Sequence, residues 1–537
     1  MRTIDVTRFA RTVCLASAVV LTGCGGGGGG GTAAGAQPVT SVSFVAGTFL
    51  PSSQYQNQCA APRSGTDPNT GLVFPDRAGS TLAEQLWLRS WTNELYLWYN
   101  EVPDIDPAGF ATALSYFNVL RTSAVTPSGK PKDKFHFTVP TSVWEALSQS
   151  GVQAGYGVEW ALLPATPPRK AVAAVIEPGS PAAAANIARG AQVLTVDGVD
   201  LATGNADSLN AGLFPGSSGE SHTFVLLDPG ASIARTVSMV SGNIASTPVQ
   251  NVKTVTSNGG LVGYMLFNDH IATAESELIA AVTQLKAANI GDLVLDIRYN
   301  GGGFLDIASE LAYMIAGAAR TSGRTFDRVQ FNSKYTNINP VTGQTLAPTP
   351  FHSQSQNFSA PRGQALPTLD LPTVYVLTGA GTCSASEAIV NGLRGVGVQV
   401  IQIGSTTCGK PYGNFPQDNC GTTYFSLEFQ GVNDAGFGDY TDGFSPNDTA
   451  TNAGTLVPGC SVGDDFTHAL GDPLEGRFAA ALNYRATAIC PVASGFAPNA
   501  TALALRFSPT GQPAELDLGT AGGAIAKPPL RESRWYR

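Results

Sequence analysis

Three short stretches of the sequence combine residue types that could break an acyl bond. The first is Thr382-Cys-Ser-Ala-Ser-Glu387, shortly after the apolar run Thr373–Thr378. Ser384 and Glu387 have the S-x-x-E spacing of a capping box, which puts Ser384 where a strand turns into a helix. Such a turn exposes a hydroxyl beside unpaired helix N–H groups, and those groups can stabilise a developing oxyanion. Taken alone, this segment also reads as a helix cap and nothing more. The second stretch, Leu295-Asp-Ile-Arg-Tyr-Asn-Gly-Gly-Gly303, sets glycines after a buried strand, where the backbone can approach a ligand and donate N–H groups. The third, Gly404-Ser-Thr-Thr-Cys-Gly-Lys410, ends the next strand with a lysine. Pro411 follows that lysine, so the segment is not a phosphate-binding G-x-x-x-x-G-K-[ST] loop.

In this order the stretches resemble the carboxyl-terminal processing, or tail-specific, proteases, a family of serine peptidases with a Ser/Lys active site. The family's D-L-R-x-N-x-G-G, S-A-S-E and G-K motifs have counterparts in Asp296–Gly303, Ser384–Glu387 and Gly409–Lys410. The resemblance implies that Ser384 is the nucleophile and Lys410 its general base. It also implies an oxyanion hole made by the Ala385 N–H and a glycine N–H of the 301–303 run, Gly302 or its neighbour Gly301. The chemistry needs a lysine that is neutral near pH 7, so Lys410 must be desolvated enough to bring its pKa toward roughly 7 or 8. Neutral Lys410 then takes the Ser384 proton as an acyl-enzyme forms, and water hydrolyses it.

The chain departs from the family pattern at two places. Many members carry Gln four residues after the lysine to orient its amine; here Asn414 stands there and Gln417 three residues further. The supporting role passes to either residue or is absent. Cys383 replaces a small residue beside the nucleophile, and a thiol nucleophile is the alternative it offers, although no histidine pattern accompanies it. His270, after the strand Gly263–Phe267, offers a rival Ser-His-acid mechanism like that of the tricorn-type relatives, or else a loop hydrogen bond.

Those residues need elements to hold them. From Gly263 onward, apolar strand runs alternate with helical stretches near 274–288, 304–318 and 386–394, the pattern of an α/β layer, with a further helix near 473–485. Before it, short strands and turns contain Pro178-Gly-Ser-Pro-Ala-Ala, a helical Ala184–Ile187, Gly190 and Val196-Asp-Gly. This stretch resembles a PDZ domain. The likeness implies that Gly155, Tyr156, Gly157 and Val158 form the loop that holds a peptide carboxylate, with the peptide added as an edge strand. The fold expected is thus an α/β (α+β) catalytic core related to the crotonase fold, with an inserted PDZ-like β-rich domain and an N-terminal helical region. In that region Ser80 or Thr81 can cap a helix whose Trp87, Trp91, Leu95 and Trp98 share a face, read as a packing face.

The expected organisation is a signal over 1–24, a Gly/Ala/Ser/Pro-rich tether over 25–79 and the helical region over 80–148. The PDZ-like domain then covers 149–246, the catalytic domain 250–494 and a poorly ordered tail 495–537. Arg2, Arg8 and Arg11 precede an apolar stretch that closes with Leu21-Thr22-Gly23-Cys24, which resembles the lipobox of bacterial lipoproteins and marks Cys24 for lipidation. The location implied is the bacterial cell envelope, facing the periplasm, lipid-anchored or as a released form.

Composition narrows the function classes. The 537 residues carry 31 Lys plus Arg and 40 Asp plus Glu, a net charge of 31 − 40 = −9 without basic clusters, which argues against a nucleic-acid partner. Past the signal, no apolar run approaches the roughly 18 residues that span a bilayer. Membrane contact is therefore expected only through the lipid anchor. Six cysteines remain after Cys14 and Cys24, an even number that suits disulfides in an exported chain. Six cysteines allow 15 pairings, between which sequence alone does not choose; Cys408 with Cys420 would close a short loop, and Cys460 with Cys490 would pin the last helix. Neither a metal nor an organic cofactor is implied, since no C-x-x-C or H-E-x-x-H spacing occurs. The leading expectation is a serine endopeptidase acting on polypeptides with exposed C-terminal tails. Its rivals are a catalytically silent PDZ-containing peptide-binding scaffold and an esterase for small acyl substrates.

Overall fold

A six-stranded sheet runs in the order Val249–Ser257, Gly260–Phe267, Asp292–Asp296, Thr373–Thr378, Gln399–Gly404 and Gly459–Ser461. Its first pair is antiparallel and all later neighbours are parallel. The computed structural model describes residues 43–491, apart from 69 and 450–453, together with 534–535. The signal with Cys24, the first part of the tether and most of the tail lie outside the described residues.

The inner strands read as near-continuous apolar runs because both faces of the sheet are covered. Alternation sorts their side chains: Met265, Phe267, Leu295 and Val376 enter the core under helices Ala274–Ala287, Leu305–Ala316 and Ala385–Gly395. Tyr264, Leu266, Val294 and Leu377 point the other way, toward Phe478 of helix Gly476–Thr487. Truncating a fully buried residue such as Leu295 to Ala would cost about 2–5 kcal/mol. Among the described residues no helix is long and apolar enough to cross a membrane.

A second core lies in the β-rich segment ahead of this sheet. Strands Arg235–Val240, Ser221–Leu227, Gln192–Val196, Ala171–Ile176 and Val158–Leu162 lie side by side in that order, around Trp160, Leu209 and Phe224. The short helix here is Pro181–Ala184, not the expected Ala184–Ile187. Ser180 accepts from Ala183 N at 3.2 Å and Pro181 suits the first turn, so the helix starts at the cap. Ala161, Val172 and Ala174 join the core of the central sheet. Arg189 crosses between the two to Asp464 at 2.6 Å and the Tyr299 hydroxyl at 2.8 Å.

The N-terminal helix is Thr81–Leu95, capped by Ser80 Oγ, with Trp87 and Trp91 stacked 5.3 Å apart against Tyr424. Trp98 is not on its face. The chain leaves the helix after Leu95 because Leu97 N donates instead to Leu427 O at 2.8 Å, and Trp98 packs edge-on to Tyr412. Residues 52–79, expected as part of the tether, are tied down. Ser52 bonds to Glu94, Cys59 is buried in a disulfide, and Arg63 pairs with Asp76.

The disulfides are Cys59–Cys420, Cys383–Cys408 and Cys460–Cys490. The last matches the expectation, whereas the Cys408–Cys420 pairing is replaced. Cys408 N donates to Thr382 O at 3.0 Å, which holds that loop beside Cys383.

Candidate active site

Three loops leave the carboxyl ends of adjacent parallel strands and meet, as ligand sites of α/β sheets do. They carry residues 297–302, 379–384 and 405–410.

The middle loop holds Ser384, with φ 58° and ψ −113°, a left-handed backbone that a serine adopts at a cost of about 1–3 kcal/mol. Two bonds hold this elbow: Cys383 N donates to Asn300 O at 3.1 Å, and Ser384 N donates to Glu387 Oε2 at 3.0 Å. The expected capping box is therefore half realised. Glu387 reaches back, but Ser384 Oγ is buried and has no hydrogen-bond partner among the described residues. Ala385 opens the helix, so its N–H lacks an intrahelical acceptor.

The first loop brings the glycines. A Cβ on Gly302 would fall 2.8 Å from both Ser384 Cβ and Ala385 N, and φ is +103°, so only glycine fits against the elbow. Gly301 is buried beside it. The Gly302 N–H is engaged, donating to Asn300 Oδ1 at 2.9 Å. Asn300 also donates from Nδ2 to Phe267 O at 3.0 Å and meets His270 Nδ1 at 2.9 Å. Behind them Asp296 accepts from Tyr264 and Arg298, and buried Arg298 reaches Glu475 at 2.7 Å. The Asp and Arg of the motif thus anchor the loop.

The third loop carries Lys410, which is fully buried. Its N donates to Glu387 Oε2 at 2.8 Å, Gly409 N donates to Oε1 at 2.9 Å, and the Thr407 hydroxyl also donates to Oε1. One carboxylate therefore holds both the serine elbow and the lysine loop. Burial pushes the Glu387 carboxyl up, against the pull of these donors. Lys410 Nζ lies 4.9 Å from the centroid of the Phe135 ring, and Lys134 Nζ donates to Cys408 O at 2.7 Å.

Four residues beyond the lysine, Asn414 is buried with Nδ2 and Oδ1 both unpartnered among the described residues. Gln417 sits apart, half-buried in strand Gln417–Asn419, its side chain making no hydrogen bond among the described residues. Glu428 is buried, accepts from Phe415 N at 3.2 Å, and is held well above the usual carboxylate range by burial. Cys383 is in a disulfide and cannot serve as a thiol nucleophile in this state. Burial lowers His270 to about 3, a value too low for an effective base near neutral pH. Three groupings of sulfur and carboxylate lie close enough to share an ion, but each contains two sulfurs joined in a disulfide.

The remaining predicted site residues lie in the β-rich segment. Gly155 ends strand Val152–Gly155 and Val158 begins the next. Tyr156 O and Gly157 O accept from Ala182 N and Glu177 N, at 2.9 and 2.8 Å. Tyr156 OH donates to Gly212 O at 3.1 Å, which sets the loop beside helix Ala206–Leu213. Strand Val158–Leu162 is the edge of its sheet. Sequence reasoning missed Phe135 and Lys134, which a distant segment brings to the lysine.

Two parts of the chain match known protein families. Residues 261–432 match the model of peptidase family S41, and residues 83–135 match that of the peptidase S41 N-terminal domain. The chain is 29% identical over 264 residues to a carboxyl-terminal-processing protease of Picosynechococcus, covering 49% of this chain and 56% of the relative. It is 25% identical over 264 residues to the protein of the same name from Synechocystis, covering 49% of this chain and 54% of that one. The chain thus spans about half the length of the curated relatives it matches. A crystal structure from Bacteroides fragilis described as an S41 protease superposes with a TM-score of 0.57 at 22% identity, over 75% of this chain and 97% of that one, a likeness of fold. The fold is mixed α/β, like that of this neighbour.

Proposed function

We propose that this protein is a serine endopeptidase of the Ser/Lys type, with Ser384 as nucleophile and Lys410 as general base on a crotonase-related core. One observation carries the reading. A buried Ser384 hydroxyl, unpartnered among the described residues, sits on a strained elbow, and Glu387 ties that elbow to the backbone of a buried lysine. A lysine with its side chain out of water favours the neutral amine, which can take the Ser384 proton as the oxygen attacks a peptide carbonyl. The resulting oxyanion meets the Ala385 N–H. The Gly302 N–H is the second donor, since an oxyanion is a stronger acceptor than the neutral amide oxygen of Asn300 it must displace. Asn414, buried with its amide unpartnered among the described residues, is the side chain we assign to support the lysine, in preference to Gln417.

The segment 149–246 acts as a PDZ module, adding a substrate's C-terminal tail to the edge strand Val158–Leu162 below the Gly155–Val158 loop. Three disulfides support an oxidising compartment outside the cytoplasm, which fits an exported protein anchored through Cys24 in the cell envelope.

The test is cleavage of an unfolded protein with an apolar C-terminus by wild type, Ser384→Ala, Lys410→Ala and His270→Ala, with mass spectrometry of the products. The first two variants should lose about 10⁴-fold or more in kcat and His270→Ala far less. Full activity in either of the first two would overturn the assignment. Labelling of wild type by a fluorophosphonate at Ser384 separates a peptidase from a silent scaffold.

A further inference from the structure

The three disulfides differ in what they join. Cys59–Cys420 fastens the N-terminal segment to a hairpin, and Cys460–Cys490 fastens an edge strand to the chain beyond the last helix. Cys383–Cys408 joins the residue before Ser384 to the residue two before Lys410. It is the covalent counterpart of the Glu387 clasp. Its sulfurs are unequal: Cys383 is fully buried against Tyr96, Phe135, Tyr412 and Leu427, while Cys408 is half-buried and its Sγ lies 3.4 Å from Glu387 Oε2.

We propose that the Cys383–Cys408 disulfide is a redox-responsive positioning element for the Ser384–Lys410 pair, closed in the active enzyme and opened by a dithiol reductant with loss of turnover. The inference rests on the Ser/Lys reading above. Thiol–disulfide exchange supplies the step. A reductant thiolate attacks the half-buried Cys408 Sγ, forming a mixed disulfide and expelling Cys383, which takes up a proton. The reductant's second thiol then attacks its own bound sulfur and releases Cys408, which is also protonated. The protein gains two electrons and two protons, and the reductant becomes its cyclic disulfide.

Opening the bond changes more than a tether. Glu387 already accepts from Ser384 N, Lys410 N, Gly409 N and the Thr407 hydroxyl. A freed Cys408 thiol, facing Oε2, becomes a fifth donor for two oxygens and competes with the bonds that hold the serine and lysine loops. The covalent limit on their separation disappears at the same moment. A shift of the reacting groups by about 1 Å costs roughly 10²-fold in rate.

The experiment is a redox titration of the intact oxidised protein with dithiothreitol. In each sample the Cys383–Cys408 bond is quantified by alkylation and mass spectrometry, and kcat and KM are measured on one tail-bearing substrate. The expected result is a fall in kcat of about 10²-fold that tracks opening of this bond, with KM nearly unchanged and kcat restored on reoxidation. The double variant Cys383→Ala/Cys408→Ala should show the low kcat with or without reductant. Cys460→Ala/Cys490→Ala should keep the wild-type kcat and its response to reductant. Should the first variant not fold, the titration still decides. Unchanged kcat with the bond fully open overturns the proposal, provided Ser384→Ala and Lys410→Ala are inactive. Activity in those two variants instead overturns the Ser/Lys reading beneath it.

Discussion

The serine–lysine rim and the Gly155–Val158 loop are both turns at strand ends, yet they are held in opposite ways. At the rim the N–H groups of Ser384, Gly409, Lys410 and Gly302 donate to buried side chains: Glu387 takes four donors, the Thr407 hydroxyl among them, and Asn300 takes two and gives one. In the β-rich segment the loop is held through its carbonyls, with Tyr156 O and Gly157 O accepting from neighbouring backbone. A hydroxyl that must meet a carbonyl within tenths of an ångström needs the first arrangement. A surface that adds a peptide strand needs only an open edge and a turn of the right shape. Disturbing the rim should therefore change kcat, and disturbing the loop should change KM.

The largest effect that sharpens this contrast is expected at Glu387. Glu387→Ala removes the acceptor of both loops and should lower kcat by about 10²–10³-fold, read by steady-state cleavage of a short peptide. Glu387→Gln is the more telling change. Its amide group would place a second donor against N–H groups that need an acceptor, so the usual isostere should not rescue activity. Near-wild-type kcat in the Gln variant would show that the carboxylate is not what sets the geometry.

The converse case is Gly157→Val. A Cβ there would fall 2.2 Å from Ser180 Cβ, and φ is +72°, so the loop must move. KM for a tail-bearing protein should rise about tenfold, while kcat/KM for a short peptide without the tail stays level. A fall in both would mean that the loop supports the rim rather than the tail.

How much of this was legible in the sequence follows the same division. Ser384, Ala385, Gly302 and Lys410 lie in contiguous motifs whose residue types are forced by local geometry: a strand-to-helix turn, a glycine pressed on an elbow, a lysine closing the next strand. The strand and helix runs from Gly263 onward were legible for the related reason that both-face burial leaves long apolar runs. Phe135 beneath Lys410 was not, because a side chain packed from a distant segment leaves no spacing to read. Trp98 was misplaced because one tertiary bond, Leu97 N to Leu427 O, ends the helix before its apolar periodicity does. Glu387 was visible as a cap, but its hold on Gly409 and Lys410 depends on how two loops meet in space.

The smallest effect concerns a second buried carboxylate site, which marks where the rim's rigidity ends. Glu275 accepts the backbone N–H groups of Gln356, Phe358, Ser359 and Ala360, and Glu310 shares the first of these at 2.9 Å. Burial, and then the Glu275 charge, push Glu310 up to about 9 from an ordinary value of 4.5. Folded protein therefore keeps a proton on Glu310 that the unfolded chain has released. Because the native state binds more protons between these values, the stability from this site is full below about 4.5 and is lost as pH rises toward about 9. Glu310→Gln mimics the protonated acid and should flatten that slope, so its Tm should exceed wild type by roughly 2–4 °C at the alkaline end and match it at the acid end. Thermal melts of both proteins across this range, with kcat measured alongside, test it. Equal slopes would remove Glu310 as the titrating group, and a kcat change at constant pH would tie this helix pair to the serine–lysine rim from which it is here held distinct.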